Sequence, residues 1–184
     1  MPLKKNQPAP NFRTADISGK PVTISDFKGK KILLTFYRHV GCPVNNLRFQ
    51  QLRQYDPYFK EQELVVLAVY ESSIENLIRY SRDESFYARL IANPEFDLYT
   101  QYEIEQSTLK MLFSMYKGVF AKSMEGKKYF KERFEPEGHQ NLLGGEFLIG
   151  EDGNLKHIYY NQYLGDHIPT SEILKFVQTG NTSI

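Results

Sequence analysis

The side chain best suited to chemistry is the thiol of Cys42, the only cysteine among the 184 residues. It stands between Gly41 and Pro43, where an apolar run over residues 32–37 gives way to a helical pattern. The apolar run is typical of a buried strand, and proline is favoured at the first position of a helix. The sequence therefore places the thiol at the N-cap of a helix, just beyond the end of a central strand.

That position favours thiol chemistry because the attacking species is the thiolate. A helix N-terminus carries a partial positive charge that stabilises a nearby anion by about 0.3–2 kcal/mol. Arg38 adds a fixed cation, and His39 adds another when it is protonated. The competing interpretation is a structural cysteine, because free cysteines are among the most buried residues. The context of strand, turn and helix favours the reactive thiol, so Cys42, Arg38 and His39 are the predicted site residues.

Composition limits the classes of protein to consider. The apolar fraction of 41%, the charged fraction of 24% and the net charge of +1 are ordinary for a globular protein, and we predict one domain over residues 1–184. The balanced charge gives no reason to expect nucleic acid or a membrane as a partner. The N-terminus lacks the apolar core of a signal peptide, and no run approaches the ~18 apolar residues of a membrane span. A single cysteine excludes an internal disulfide and fits the reducing cytoplasm, which is the predicted location.

Apolar runs and turn residues predict alternating strands and helices. The central strand is followed by a helix over 43–60, in which Pro57 marks a kink or an early end, and then by a second strand over 63–69 that is parallel to the first. The other predicted elements are a hairpin of strands 12–16 and 22–24, a helix over 72–80, a strand over 88–92, a helix over 96–102, a hairpin of strands 147–149 and 155–160, and a helix over 170–177. This order predicts an α/β fold with a central mixed sheet and helices on both faces.

Residues 107–134 are the least ordinary part of the chain and belong to a helical insertion predicted over about 107–140. This stretch contains seven basic side chains and two glutamates, which gives it a net charge of +5. One interpretation is a lid or a docking surface for something anionic, and the other is a core-packing helix with a basic solvated face. The nearly balanced charge of the whole chain favours the second. The apolar residues that recur at three- and four-residue steps, and so predict an amphipathic helix, are Leu109, Leu112, Phe113, Tyr116, Val119 and Phe120.

Three stretches occur in the order that one known family shows: Ala9-Pro10-Asn11-Phe12, Arg38-His39-Val40-Gly41-Cys42-Pro43 and Gly144-Gly145-Glu146-Phe147. Together they resemble the peroxiredoxin-like branch of the alkyl hydroperoxide reductase/thiol-specific antioxidant (AhpC/TSA) family, within the thioredoxin-like superfamily. The resemblance implies a thioredoxin-like fold and reduction of a peroxide by Cys42, which leaves a sulfenic acid for a second thiol to resolve. It implies a small peroxide or thiol substrate, an external thiol reductant and no cofactor or metal, and it leaves a homodimer open.

The chain departs from the pattern of that family and of its thioredoxin-like relatives at four positions. Asn45 stands where Cys-x-x-Cys proteins have their second cysteine, Thr35 and His39 stand where peroxiredoxins carry a proline and a threonine or serine, and Gly144 stands where an arginine supports the thiolate. One hypothesis is that Arg38 or His39 replaces the missing groups. Two functions therefore stay open: a peroxidase that uses one cysteine and an external thiol, and a catalytically weak or inactive binding or redox-sensing module.

Overall fold

The computed structural model describes residues 2–81, 87–130 and 132–183. In chain order the elements are β1 (Arg13–Ala15), β2 (Pro21–Thr23), a 3-10 turn (Ile24–Phe27), β3 (Ile32–Tyr37), α1 (Pro43–Arg53), α2 (Asp56–Glu61), β4 (Val65–Tyr70), α3 (Ile74–Ser81), β5 (Arg89–Ala92), α4 (Asp97–Gln101), α5 (Thr108–Phe113), a second 3-10 turn (Ser114–Lys117), α6 (Val119–Lys127), β6 (Gly145–Ile149), β7 (Leu155–Tyr160) and α7 (Thr170–Thr179). None of the described helices combines the length and the apolar character needed to cross a bilayer.

A five-stranded mixed sheet in the order β5-β4-β3-β6-β7 forms the centre of the fold. Strands β3, β4 and β5 run parallel, and β6 is antiparallel to both β3 and β7. All six residues of β3 are buried, as expected of a central strand that is covered on both faces. The predicted mixed sheet is confirmed, and β1 with β2 form the predicted N-terminal hairpin as a separate two-stranded sheet.

Helices cover both faces of the sheet, as predicted. Because successive side chains of a strand point to opposite faces, β3 contributes to two cores. Leu34 packs in one core with Tyr99 and the N-terminal hairpin. Leu33 packs in the other with Leu52 of α1 and Phe176 of α7.

The helix predicted over 43–60 is two helices, α1 and α2. Pro57 occupies the second position of α2, where its missing N–H needs no partner. The proline therefore lies at the start of a new helix after a break at Gln54 and Tyr55. The predicted early end is confirmed, and it falls a few residues before the proline.

Residues 107–134 fold differently from the favoured prediction. They form α5, a 3-10 turn and α6, because Gly118 adopts a φ of 75° between the last two. Leu109, Tyr116 and Phe120 are 78%, 87% and 77% exposed, so the prediction that this apolar face packs in the core is wrong. Periodicity places the apolar side chains together on one face, but the other helices already cover both faces of the sheet. The Lys131 included in the predicted charge lies outside the described residues.

Candidate active site

Cys42 is the N-cap residue of α1, as the sequence predicts. Its backbone is extended, and its N–H donates to the carbonyl oxygen of His39 at 3.0 Å. Its own carbonyl oxygen accepts the first helical hydrogen bond, from the N–H of Asn46 at 3.1 Å. The sulfur therefore lies at the positive end of α1, where Pro43 brings no N–H of its own.

The Cys42 side chain lies at the bottom of a cleft of about 430 Å³. Only 2% of the residue is exposed, yet the cleft opens to the surface beside it and is large enough for a small organic molecule. The cleft is lined mainly by apolar side chains that come from α1, from the second 3-10 turn, from α6 and from the loop after β7. They are Val44, Met115, Val119, Phe120 and Leu164, together with Ser123. Sequence reasoning missed this lining because its parts are more than 40 residues apart.

Arg38 supplies the cation next to the sulfur. Its Nη1 donates to Cys42 Sγ at 3.7 Å, and the residue is only 7% exposed. Its Nη2 donates to the carbonyl oxygen of Gln140 at 2.9 Å and to Gln140 Oε1 at 3.2 Å. A permanently charged, oriented donor at this distance stabilises a thiolate more than the neutral thiol. Gln140 orients Arg38 from about a hundred residues away, and no sequence pattern indicates it.

The backbone at Gly144 has no room for the arginine that the family pattern places there. Gly144 adopts a φ of +91°, and a Cβ at this position would lie 2.5 Å from the carbonyl oxygen of Phe36. Any side chain here would force β6 away from β3. The guanidinium next to the sulfur therefore comes from Arg38, in the same short motif as Cys42, and not from position 144.

His39 does not act as a second cation at neutral pH. Burial, and after it the charge of Arg38, lower the pKa of His39 from 6.5 to about 4, and Glu137 opposes the shift only in part. The residue is 5% exposed, and its Nδ1 has no hydrogen-bond partner among the described residues. Of the two cations that the sequence offers to Cys42, only Arg38 is charged near pH 7.

Replacing His39 with glutamine is expected to flatten the pH dependence of stability. The folded-state pKa of about 4 lies below the ordinary value of 6.5, so the unfolded chain takes up the proton first. The titration of His39 therefore does not affect the free energy of unfolding of the wild type above pH 6.5. It lowers that free energy by up to about 3 kcal/mol as the pH falls towards 4. Urea unfolding of both proteins near pH 7 and near pH 4 measures the difference. Equally steep losses in the two proteins would contradict the assignment.

Helix α6 rests on α1 through a glycine. A Cβ on Gly126 would lie 1.9 Å from the carbonyl oxygen of Pro43, so only glycine allows this approach. Because α6 also carries part of the cleft lining, this contact sets the width of the cleft.

Gly126→Ala is therefore expected to push α6 outward. We expect a loss of about 1–3 kcal/mol in the free energy of unfolding, as for other overpacked contacts. We also expect faster alkylation of Cys42, since the wall of its cleft moves away. Urea unfolding and the rate of thiol alkylation report the two effects. Glu125→Ala, on the exposed side of the same helix, is the control that should change neither.

A buried ion pair that the sequence analysis missed fixes α1 against the sheet. Arg48 Nε and Nη2 donate to the two carboxylate oxygens of Glu146, each at 2.9 Å, and the N–H of Ile168 donates to Glu146 Oε2 at 2.8 Å. Burial by itself would raise the pKa of Glu146, but Arg48, together with the neighbouring His167, outweighs it and lowers that pKa to about 2. The only signal in the sequence is an arginine between two apolar residues of the helix, Leu47 and Phe49.

No group of three or more histidine, cysteine, aspartate or glutamate side chains suited to a metal ion occurs within residues 2–81, 87–130 and 132–183. His39 and Cys42 are thus not joined there by further ligands.

Comparison with known proteins gives one consistent result. The profile of the AhpC/TSA family matches residues 6–158. Peroxiredoxin Bcp of Escherichia coli (strain K12) is 25% identical over 167 residues, which cover 90% of this chain and 91% of that protein. PrxQ of Xylella fastidiosa superposes with a TM-score of 0.69 at 16% identity over 98% of both chains. Peroxidoxin BcpB of Mycobacterium tuberculosis superposes with a TM-score of 0.63 at 13% identity, over 96% of this chain and 97% of that one. The predicted thioredoxin-like fold is confirmed.

Proposed function

This chain belongs to the AhpC/TSA family, and on that premise we propose that it is a thiol-dependent peroxidase that reduces peroxides through Cys42 alone, with an external thiol as reductant. The observation that carries the proposal is the contact between Arg38 Nη1 and Cys42 Sγ at the helix N-terminus, inside a cleft open to small molecules. The similarity to the E. coli peroxiredoxin over 90% of the chain supports it.

The proposed reaction has two stages. The thiolate of Cys42 attacks one peroxide oxygen, the O–O bond breaks, and the other oxygen leaves as an alkoxide that takes up a proton and becomes the alcohol. The sulfur is then a sulfenic acid. One external thiol condenses with it and releases water, and a second external thiol attacks the mixed disulfide, which regenerates Cys42. One peroxide and two thiols thus give one alcohol, one water and one disulfide.

The external thiol is needed because Cys42 has no partner cysteine in the chain. Asn45 occupies the position from which a second sulfur would form a local disulfide. We therefore propose that the protein works in the cytoplasm, where small thiols are kept reduced.

A single-turnover experiment tests the one-cysteine mechanism. The reduced protein is treated with one equivalent of tert-butyl hydroperoxide, trapped with dimedone and analysed by peptide mass spectrometry. We expect one dimedone adduct per chain, on Cys42, and none when dithiothreitol is added before dimedone. If the protein consumes peroxide but no dimedone adduct forms on Cys42, the mechanism is contradicted.

Arg38→Met is expected to slow the reaction of Cys42 with peroxide about 100- to 1,000-fold, the range found when one oriented donor to a developing charge is removed. Arg38→Lys should keep part of the rate, because a lysine keeps the charge but not the planar fork. Stopped-flow rates at low peroxide concentration measure both. Arg53→Met, at the far end of α1, is the control. Equal rates for the wild type and Arg38→Met would remove Arg38 from the site.

A further inference from the structure

The outer surface of α5, the 3-10 turn and α6 is unusually apolar for an exposed part of the chain. Its large side chains are between 52% and 87% exposed. They are Leu109, Leu112, Met115, Tyr116, Phe120 and Met124. We call this set, with the exposed lysines of the same residues, the outer surface of the 108–129 segment.

The lysines of that surface make it basic. Residues 108–129 contain five lysines and one acidic side chain, Glu125. Lys110 pairs with Glu105 at 2.5 Å, and Lys122 donates to the carbonyl oxygen of Gly165 at 2.6 Å. The other three, at positions 117, 127 and 128, are exposed. Positive charge is therefore concentrated in the segment that carries the exposed apolar side chains, although the chain as a whole carries only +1.

From this pairing of exposed apolar side chains with lysines that form no ion pair among the described residues, we propose that the outer surface of the 108–129 segment docks on an anionic lipid bilayer. Aromatic, leucine and methionine side chains enter the region between headgroups and acyl chains, and lysines bind the lipid phosphates. The whole-chain charge gave no reason to expect a membrane partner. The local distribution of charge overrides that expectation.

Two other partners for this surface, a second copy of the chain and a protein reductant, are less well suited to it. A second copy of the chain would bring two basic surfaces together, which repel. A protein reductant would need to bring its own sulfur to Cys42, which is 2% exposed at the bottom of a cleft. An acyl chain is narrow enough to enter that cleft.

The mouth of the cleft lies within the docking surface. Met115 and Phe120 line the cleft and are themselves 70% and 77% exposed. A bilayer held against this surface would therefore place acyl chains next to the route to Cys42. That consequence for the substrate, a hydroperoxide carried on a lipid, rests on the proposed function, whereas docking itself does not.

Vesicle flotation of the full chain tests the proposal. Vesicles of phosphatidylcholine alone are compared with vesicles containing one quarter phosphatidylglycerol. We expect binding to the anionic vesicles only, and its loss at high salt. One lysine at an anionic surface changes the partition coefficient about fivefold, so Lys127→Glu with Lys128→Glu should weaken binding at least about 25-fold. Lys20→Glu with Lys28→Glu makes the same change in net charge elsewhere on the surface and should affect binding far less.

A second pair of variants tests the apolar component. Tyr116→Ser with Met124→Ser should weaken binding to anionic vesicles about tenfold or more. Ile74→Ser with Ile78→Ser removes two apolar side chains of α3, 44% and 46% exposed, and should leave binding unchanged. Equal effects of the two double variants would overturn the proposal.

The remaining outcomes separate docking from the proposed function. Vesicle binding without consumption of tert-butyl hydroperoxide supports docking and contradicts the peroxidase. Peroxide consumption with no binding to anionic vesicles supports the peroxidase and overturns docking. Self-association in light scattering that is lost in Tyr116→Ser with Met124→Ser, without vesicle binding, would assign the surface to a second copy and also overturn docking.

Discussion

Cys42→Ser is expected to abolish peroxide consumption in the presence of dithiothreitol. A serine hydroxyl is not ionised at pH 7 and does not accept an oxygen atom from a peroxide, so the position of Arg38 has nothing left to activate. We expect the rate to fall about 10⁴-fold or more, to the level of buffer alone, as when a nucleophile is removed from other enzymes. The measurement is peroxide remaining with time at equal protein concentrations.

The control for this experiment must show that the variant folds. Cys42 is in contact with Val44 and Leu164, and serine fills nearly the same space, so circular dichroism and the urea midpoint should change little. Cys42→Ala provides a second variant without a hydroxyl. Peroxide consumption that persists in both folded variants would rule out the proposed peroxidase and leave the binding or redox-sensing module. Slow alkylation of wild-type Cys42 at pH 7 would favour the same alternative.

Arg48→Met is expected to lower the free energy of unfolding by about 3–5 kcal/mol. It removes the guanidinium that compensates Glu146, whose side chain is only 1% exposed, and leaves the buried carboxylate with only His167 Nδ1 at 3.4 Å and the N–H of Ile168 beside it. The loss should be measured by urea unfolding near pH 7. Lys60→Met, which breaks the exposed ion pair with Asp56, is the matched control and should cost less than about 1 kcal/mol.

Two further measurements decide whether the ion pair causes this loss. The double variant Arg48→Met with Glu146→Gln removes both charges, so it should recover part of the stability. The pKa of Glu146, about 2 when folded against an ordinary 4.5, predicts that wild-type stability falls as the pH drops from 4.5 towards 2. Arg48→Met should lack that fall. A loss for Arg48→Met no larger than for Lys60→Met would contradict the assignment.

The sequence predicted the elements that carry the thiol because their signals are local. The apolar run over 32–37 and the Gly41-Cys42-Pro43 turn determine a strand end and a helix start without reference to distant residues. The same holds for the late hairpin, in which Asp152-Gly153 forms the turn between β6 and β7.

What the sequence could not predict is which surfaces meet. The three- and four-residue periodicity of 107–134 shows that its apolar side chains share a face, but it cannot show whether another element covers that face. The orientation of Arg38 by Gln140 depends on a loop about a hundred residues later. Burial, rather than residue type, decides that His39 is neutral, and burial is a property of the folded chain.

The close approach of Gly144 to Phe36 also constrains how this protein can evolve. Any amino-acid substitution at position 144 introduces a Cβ 2.5 Å from the backbone oxygen of Phe36, so it must be accompanied by a shift of β6 against β3. An arginine at position 144 therefore cannot be gained by a single substitution that leaves the packing of β6 against β3 unchanged. Strand packing therefore excludes a guanidinium at position 144, even though thiol chemistry at Cys42 would accept one from there as well as from Arg38.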